Sequence, residues 1–154
     1  MPPMERKALI VDLIKFLTDE PACQQTLGCL NSKAEIAIRI AQTVEISVLY
    51  DGQQVIAEEK QATAPDFIFD TSPEAISVLI SEKGMNPAQL GIKLVKQIIS
   101  RDVKVSMPSS IFQITRKGYY KVISVGGVEF FQEMKKHNLA SLPKITAALK
   151  RLRR

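Results

Sequence analysis

The residues whose types could do chemistry are few, and their spacing does not combine them. His137 is the only histidine and stands among lysines, so it reads as a surface residue of an exposed helix. A hydrolytic triad would have to be assembled around it, and no strand-to-helix nucleophile motif accompanies it. Cys23 and Cys29, separated by five residues, with one distant histidine, match no zinc-ligand spacing. Gly126-Gly127 is not followed by the lysine and hydroxyl residue of a phosphate loop. Glu58-Glu59 and the pair Asp66 and Asp70 read as strand-edge and turn residues. The chain is therefore expected to be no enzyme and to carry no cofactor and no metal.

Charge narrows the partners. The formal net charge is +5, but seven of the 21 basic residues follow Glu133 and no acid does. The remaining 14 basic residues face 16 acids, so residues 1–134 carry −2 and the basic character belongs to the tail. A nucleic-acid-binding body would need a basic face of its own. The 154 residues suffice for a buried core, and no apolar run approaches the span of a bilayer. Asp12 and Lys15 interrupt the apolar stretch 8–17, which lacks the uncharged centre of a signal peptide. The expected compartment is cytoplasmic, where the two cysteines, although able in principle to pair, stay reduced.

The elements follow from periodicity and punctuation. Ile10, Leu13, Ile14 and Leu17 recur at helical spacing over residues 5–18, and Pro21 ends that helix; 23–30 is left between loop and short turn. Ile36, Ile38 and Ile40 alternate as in a strand, in phase with Val44, Ile46, Val48 and Tyr50. Residues 36–50 are thus one bent strand or two strands joined at 41–43, with Glu35, Arg39, Glu45 and Ser47 on the opposite face. Asp51-Gly52 marks a hairpin into a strand over 54–60, because such turns need positive φ. A strand over 66–70 leads into a helix over 72–82, capped by Thr71 or Ser72 and ended by Gly84. Asn86-Pro87 opens a helix over 88–99, with Leu90, Leu94, Val95, Ile98 and Ile99 apolar and Lys93, Lys96 and Gln97 pointing away. A last strand spans 103–107 and a short helix follows to about residue 115. Tyr119–Val125 fits strand or helix, Gly126-Gly127 makes a hinge, and 128–137 reads as helix. Ser141 caps a final helix striped by Leu142, Ile145, Leu149 and Leu152.

This order of parts resembles the sterol-carrier-protein-like family of lipid-binding domains. The resemblance rests on Ile46-Ser-Val-Leu-Tyr-Asp-Gly52, on Ala64-Pro-Asp-Phe-Ile-Phe-Asp-Thr-Ser72, on the leucine-rich helix, on Asn86-Pro87 and on Val103-Lys-Val105. It covers residues 34–114, roughly half the chain. Two features depart from the family pattern: 88–102 is longer and free of aromatic residues, and the part beyond Gly118 has no counterpart. The resemblance implies an α+β fold: a five-stranded, mostly antiparallel sheet with helices packed on one face, plus C-terminal helices. It also implies an apolar tunnel for fatty acyl, sterol-like or isoprenoid quinone lipids, presented to a lipid-using enzyme.

The expected organisation is an N-terminal amphipathic helix (1–30), a lipid-binding domain (31–117) and a C-terminal helical extension with a basic tail (118–154). Phe67, Phe69, Ile76, Leu79, Ile80, Met85, Leu90, Leu94 and Ile98 are the candidate lining as a group, while any one of them taken singly reads more readily as plain core. Met85 adds a flexible thioether suited to adaptable apolar surfaces. Lys144, Lys150, Arg151, Arg153 and Arg154 are the candidate membrane contacts, readable also as a solvated helix end that complements the helix dipole. The expected function is non-catalytic binding or carriage of a hydrophobic ligand, with peripheral docking on an anionic membrane. The alternative is an accessory module with a filled core whose tail grips a protein or nucleic-acid partner.

Overall fold

Prolines and capping side chains decide where the helices begin. The computed structural model describes residues 3–139 and 141–152. Helix α1 (Pro3–Asp19) is followed after one residue by α2 (Pro21–Leu27). The segment left between loop and turn is thus helical through Leu27: Pro21 has its φ preset for a first turn, and the Gly28 N–H closes the last turn onto Gln24 O at 3.0 Å.

The in-phase run over 36–50 forms two strands, β1 (Ile36–Ile40) and β2 (Val44–Tyr50), paired antiparallel with Ile38 opposite Ile46. Between them Ala41 and Gln42 take φ of 53° and 61°, and the Thr43 N–H bonds Ile40 O at 3.1 Å. That is a mirror-image hairpin turn made without glycine or asparagine, so the sequence carried no marker for it. Asp51-Gly52 does turn the chain into β3 (Val55–Glu59). Gly52 has φ of 99°, and the Asp51 carboxylate accepts the N–H groups of Gln54 and Gln53 at 2.9 and 2.8 Å. Those two bonds hold its carboxyl below the usual carboxylate range.

Strands β4 (Phe67–Thr71) and β5 (Lys104–Ser106) complete a sheet of order β3-β2-β1-β4-β5. β1 and β4 run parallel and the other three pairings are antiparallel, which makes the expected five-stranded, mostly antiparallel α+β sheet. To reach β4, the chain leaving β3 must pass β2 and β1. Residues 60–66 do so on the face away from the helices. There the Glu35 carboxylate accepts from the Thr63 and Ala64 N–H groups at 3.0 and 2.8 Å and from the Ser47 hydroxyl at 2.6 Å. Glu35 and Ser47 are accordingly buried.

On the other face lie α3 (Pro73–Ile80), α4 (Pro87–Ile99), α5 (Ile111–Arg116), α6 (Tyr119–Val125), α7 (Gly127–Lys135) and α8 (Leu142–Lys150). The Ser72 hydroxyl caps α3, and Asn86 with Gln89 forms a reciprocal cap on α4. Helix α3 stops at Ile80, two residues before the expected end, and Gly84 (φ 75°) shapes the turn after it rather than its last residue. The ambiguous run Tyr119–Val125 is helix. It starts at Gly118, whose φ of 95° and approach to Cys29 O (2.3 Å from where a Cβ would lie) exclude any side chain. Gln97, expected to point away, is instead buried, and its Nε2 donates to Ala75 O at 2.9 Å, tying α4 to α3.

Two core clusters share the sheet. Leu9, Ile10 and Leu13 of α1 pack with Ile46, Val48 and Ile76. Leu30, Phe67, Met107, Ile114 and Tyr119 form the second, against which Leu149 and Leu152 pack. The Met107 N–H bonds Leu152 O at 3.0 Å, so the end of α8 is fastened beside β5.

Candidate functional site

The inward face of the sheet is set by alternation. Ile36 lies beside Phe67 and Ile38 beside Phe69 across the parallel pair, and Val105 lies beside Phe69 on the far side. These side chains form the floor of a cavity of about 370 Å³. Such a volume lies at the lower end of the ~300–1,000 Å³ typical of small-molecule sites. Helix α3 contributes Ile76 and Leu79 to the wall, and α4 contributes Leu90, Leu94 and Ile98. Those three recur at helical spacing, so one face of α4 looks inward along its length.

Seven of the nine candidate lining residues therefore come together on one cavity. Ile80 and Met85 lie elsewhere: Met85 is buried against Phe16 and Cys23, and Ile80 packs on that cluster. The early end of α3 is the physical reason, since the chain leaves the cavity wall after Leu79. Sequence reasoning missed the share supplied by both ends of the chain. Leu13 and Phe16 come from α1, Val122 from α6, Phe130 from α7, and Leu149 and Leu152 from the α8 region. Their helical stripes were visible, but a stripe does not say which neighbour it will face.

Electrostatics at the wall keep it neutral. Among the described residues no Lys, Arg, His, Asp or Glu lines the cavity. Cys23 does, and burial, with the Glu20 carboxylate adding to it, pushes its thiol up to about 12. Both cysteines are free. Tyr119 also lines the cavity, edge-on to Phe67 at 5.0 Å between ring centroids. Its hydroxyl points into the protein, donating to Asp66 Oδ2 at 2.8 Å. Burial first, and the Asp66 carboxylate next, raise the Tyr119 phenol far above its ordinary value.

Asp66 is not the turn residue its position suggested. It is fully buried and accepts from Lys117 Nζ at 2.7 Å, the Ser109 hydroxyl at 2.5 Å, the Tyr119 hydroxyl and the Glu35 N–H at 3.0 Å. One carboxylate thereby fastens β1, the crossover, the β5–α5 connection and α6 behind the cavity. His137 also departs from expectation: it is half-buried, and its Nε2 is enclosed with no partner, because the chain turns back at Asn138 (φ 60°) and the Leu139 N–H closes onto Met134 O. Among the described residues no group of three acidic, cysteine or histidine side chains is placed to hold a metal.

Of the candidate membrane contacts, Lys144, Lys150 and Arg151 are exposed, while Arg153 and Arg154 lie outside the described residues, as does the side chain of Leu142. Ile145 is buried, and Leu149 and Leu152 face the cavity, so the apolar stripe of α8 is used inward and its basic side chains outward. Among the described residues no helix is long and apolar enough to cross a membrane.

No family model and no curated protein matches the chain. Among solved structures it is similar to one titled "UbiJ-SCP2 Ubiquinone synthesis protein", with 14% identity and a TM-score of 0.45, over 80% of this chain and 96% of that one.

Proposed function

We propose that this protein binds and carries a hydrophobic ligand with a single acyl-like or isoprenoid chain, without catalysing its conversion. The observation that carries the proposal is the cavity of about 370 Å³ walled by apolar side chains from the sheet and from both ends of the chain. The cavity is partly open and its wall is almost wholly apolar, so a chain that enters it removes apolar surface from water and gains packing contacts. At ~0.8 kcal/mol per buried methylene, ten methylenes supply ~8 kcal/mol, a dissociation constant in the micromolar range with no polar contact.

Docking on an anionic membrane belongs to the same proposal. Lys144, Lys150 and Arg151 face outward on a helix whose inner side is cavity wall. Each basic residue near such a surface adds ~1 kcal/mol of attraction, screened by salt. The contact is electrostatic, because the apolar stripe of α8 is occupied inward. The lining (Phe67, Phe69, Ile76, Leu79, Leu90, Leu94 and Ile98) is proposed as the ligand-contacting set, with a lipid-using enzyme as the recipient of the cargo.

The test is native mass spectrometry of the purified protein, followed by organic extraction. A near-stoichiometric acyl or isoprenoid species is the expected result. A protein that is empty and also takes up no added fatty acid, fatty alcohol or quinone overturns the proposal and leaves an accessory module that acts through its surface.

A further inference from the structure

We infer that Phe130 sets how long a chain the cavity accepts, by closing the end that lies between α4 and α7. The inference rests on the proposed lipid-carrying reading and adds the length of the cargo. Phe130 lines the cavity and is only 8% exposed. Among the described residues it is the sole side chain of α7 that does so. Behind it lies packed protein: Ala88 of α4 and Met134 of α7 are buried with Phe130 in one cluster, and neither reaches the cavity. On this side the apolar space stops at the ring.

Two glycines make the seat for that ring. Gly91 lies within α4 and Gly126 just before α7, and both line the cavity. A Cβ on Gly91 would lie 3.0 Å from Phe130 Cε1, and one on Gly126 would lie 2.6 Å from Phe130 Cβ. Glycine in a helix interior weakens the helix relative to alanine, and α4 carries it where a methyl group would strike the ring. Phe131 meets the ring edge-on at 5.6 Å between centroids. On the flanks Asn86 Nδ2 donates to Glu129 Oε2 at 3.4 Å, and Lys96 pairs with Glu133 at 3.7 Å. These contacts hold α7 against α4, so a chain that presses on the ring meets a backed wall.

Phe16 offers the natural contrast. It also lines the cavity and is buried in a separate cluster, with Cys23 and Met85. It shares its stretch of wall with Leu13, Leu17 and Cys23, so truncating it leaves neighbours to hold the boundary. Truncating Phe130 opens the space directly towards the α4–α7 cluster. A methylene that finds room adds ~0.8 kcal/mol, about fourfold in affinity, and one that meets the ring adds nothing. The cargo is therefore a single-chain lipid with a sharp upper length.

The experiment displaces the fluorescent apolar probe diphenylhexatriene with straight-chain alcohols from octanol to hexadecanol. In the unmodified protein affinity is expected to rise about fourfold per carbon and then to level off at one length. Phe130→Ala removes roughly six carbons and should move that length up by roughly two to four, the smaller figure where neighbours relax into the space. Phe130→Val should move it by roughly one to two, and it decides the matter where the alanine variant fails to fold by circular dichroism. Phe16→Ala should leave the length in place. A levelling length that is absent, unchanged in a folded Phe130 variant, or moved as far by Phe16→Ala overturns the assignment of Phe130 and leaves the carrying function standing. So does an affinity change equal at every length, which is the mark of a merely structural role. Failure of diphenylhexatriene and of every alcohol to bind overturns both.

Discussion

Replacing Leu94 by tryptophan tests the cavity from two sides at once. Leu94 sits half-buried on the inward face of α4, one turn before Ile98 and among the lining side chains. Tryptophan carries roughly six more heavy atoms than leucine, the room of about four ligand methylenes, so at ~0.8 kcal/mol each it removes ~3 kcal/mol of binding. That is about a 150-fold rise in dissociation constant. Stability should move little, because the ring enters space already open. Were α4 closely packed there, overpacking would cost ~1–3 kcal/mol, and a domain of this size would lose roughly 2–4 °C of Tm for each. The chain has no tryptophan, so the introduced indole is the sole one, and its emission reports its surroundings directly. The assay is probe displacement by dodecanol alongside thermal unfolding, with Val78→Trp, on a 55% exposed position, as the inert control. Unchanged dodecanol affinity in a folded Leu94→Trp protein would refute the assignment of the cavity as the ligand site. Loss of binding accompanied by a large fall in Tm would refute its openness.

Further outcomes follow from other parts of the molecule. Asp66→Ala leaves three buried donors and the half-buried Lys117 ammonium without their acceptor and should cost about 3 kcal/mol by urea unfolding, with Lys117→Met in the same chain recovering part of it. Ala41→Asn with Gln42→Gly relieves two left-handed residues, each costing ~1–2 kcal/mol, and should raise the urea midpoint. Cys23, buried and with its thiol raised to about 12, should resist iodoacetamide at mildly alkaline pH until the protein unfolds, while the half-buried Cys29 reacts first; peptide mapping separates the two. The Tyr119 phenol is raised in the folded state, so the folded protein keeps a proton that the unfolded chain releases above pH ~10. Its contribution is constant below that pH and is lost as pH rises beyond it, and Tyr119→Phe should flatten this alkaline fall in stability.

What could be read from the residues and what could not divide along a physical line. Alternation in β1 and β2, the Asp51-Gly52 turn, and the Ser72, Asn86 and Ser141 caps are local signals, decided within a few residues, and each element they announce is present. The turn at Ala41-Gln42 was silent because pairing of the flanking isoleucines and valines forces two ordinary residues into positive φ, a tertiary override of local preference. Gln97 and Asp66 were misjudged for the same reason in polar form. A glutamine on a helix looks solvated, and an aspartate before a strand looks like a turn, until Ala75 O in one case and Lys117 in the other arrives from elsewhere in the chain. Those two residues also do opposite things with burial. Every donor around Asp66 is answered, which makes it a fastening; the oxygen of Gln97 is enclosed without a partner. Unanswered polarity inside an apolar wall carries a cost that packing alone would remove, since leucine would fill the same position without it.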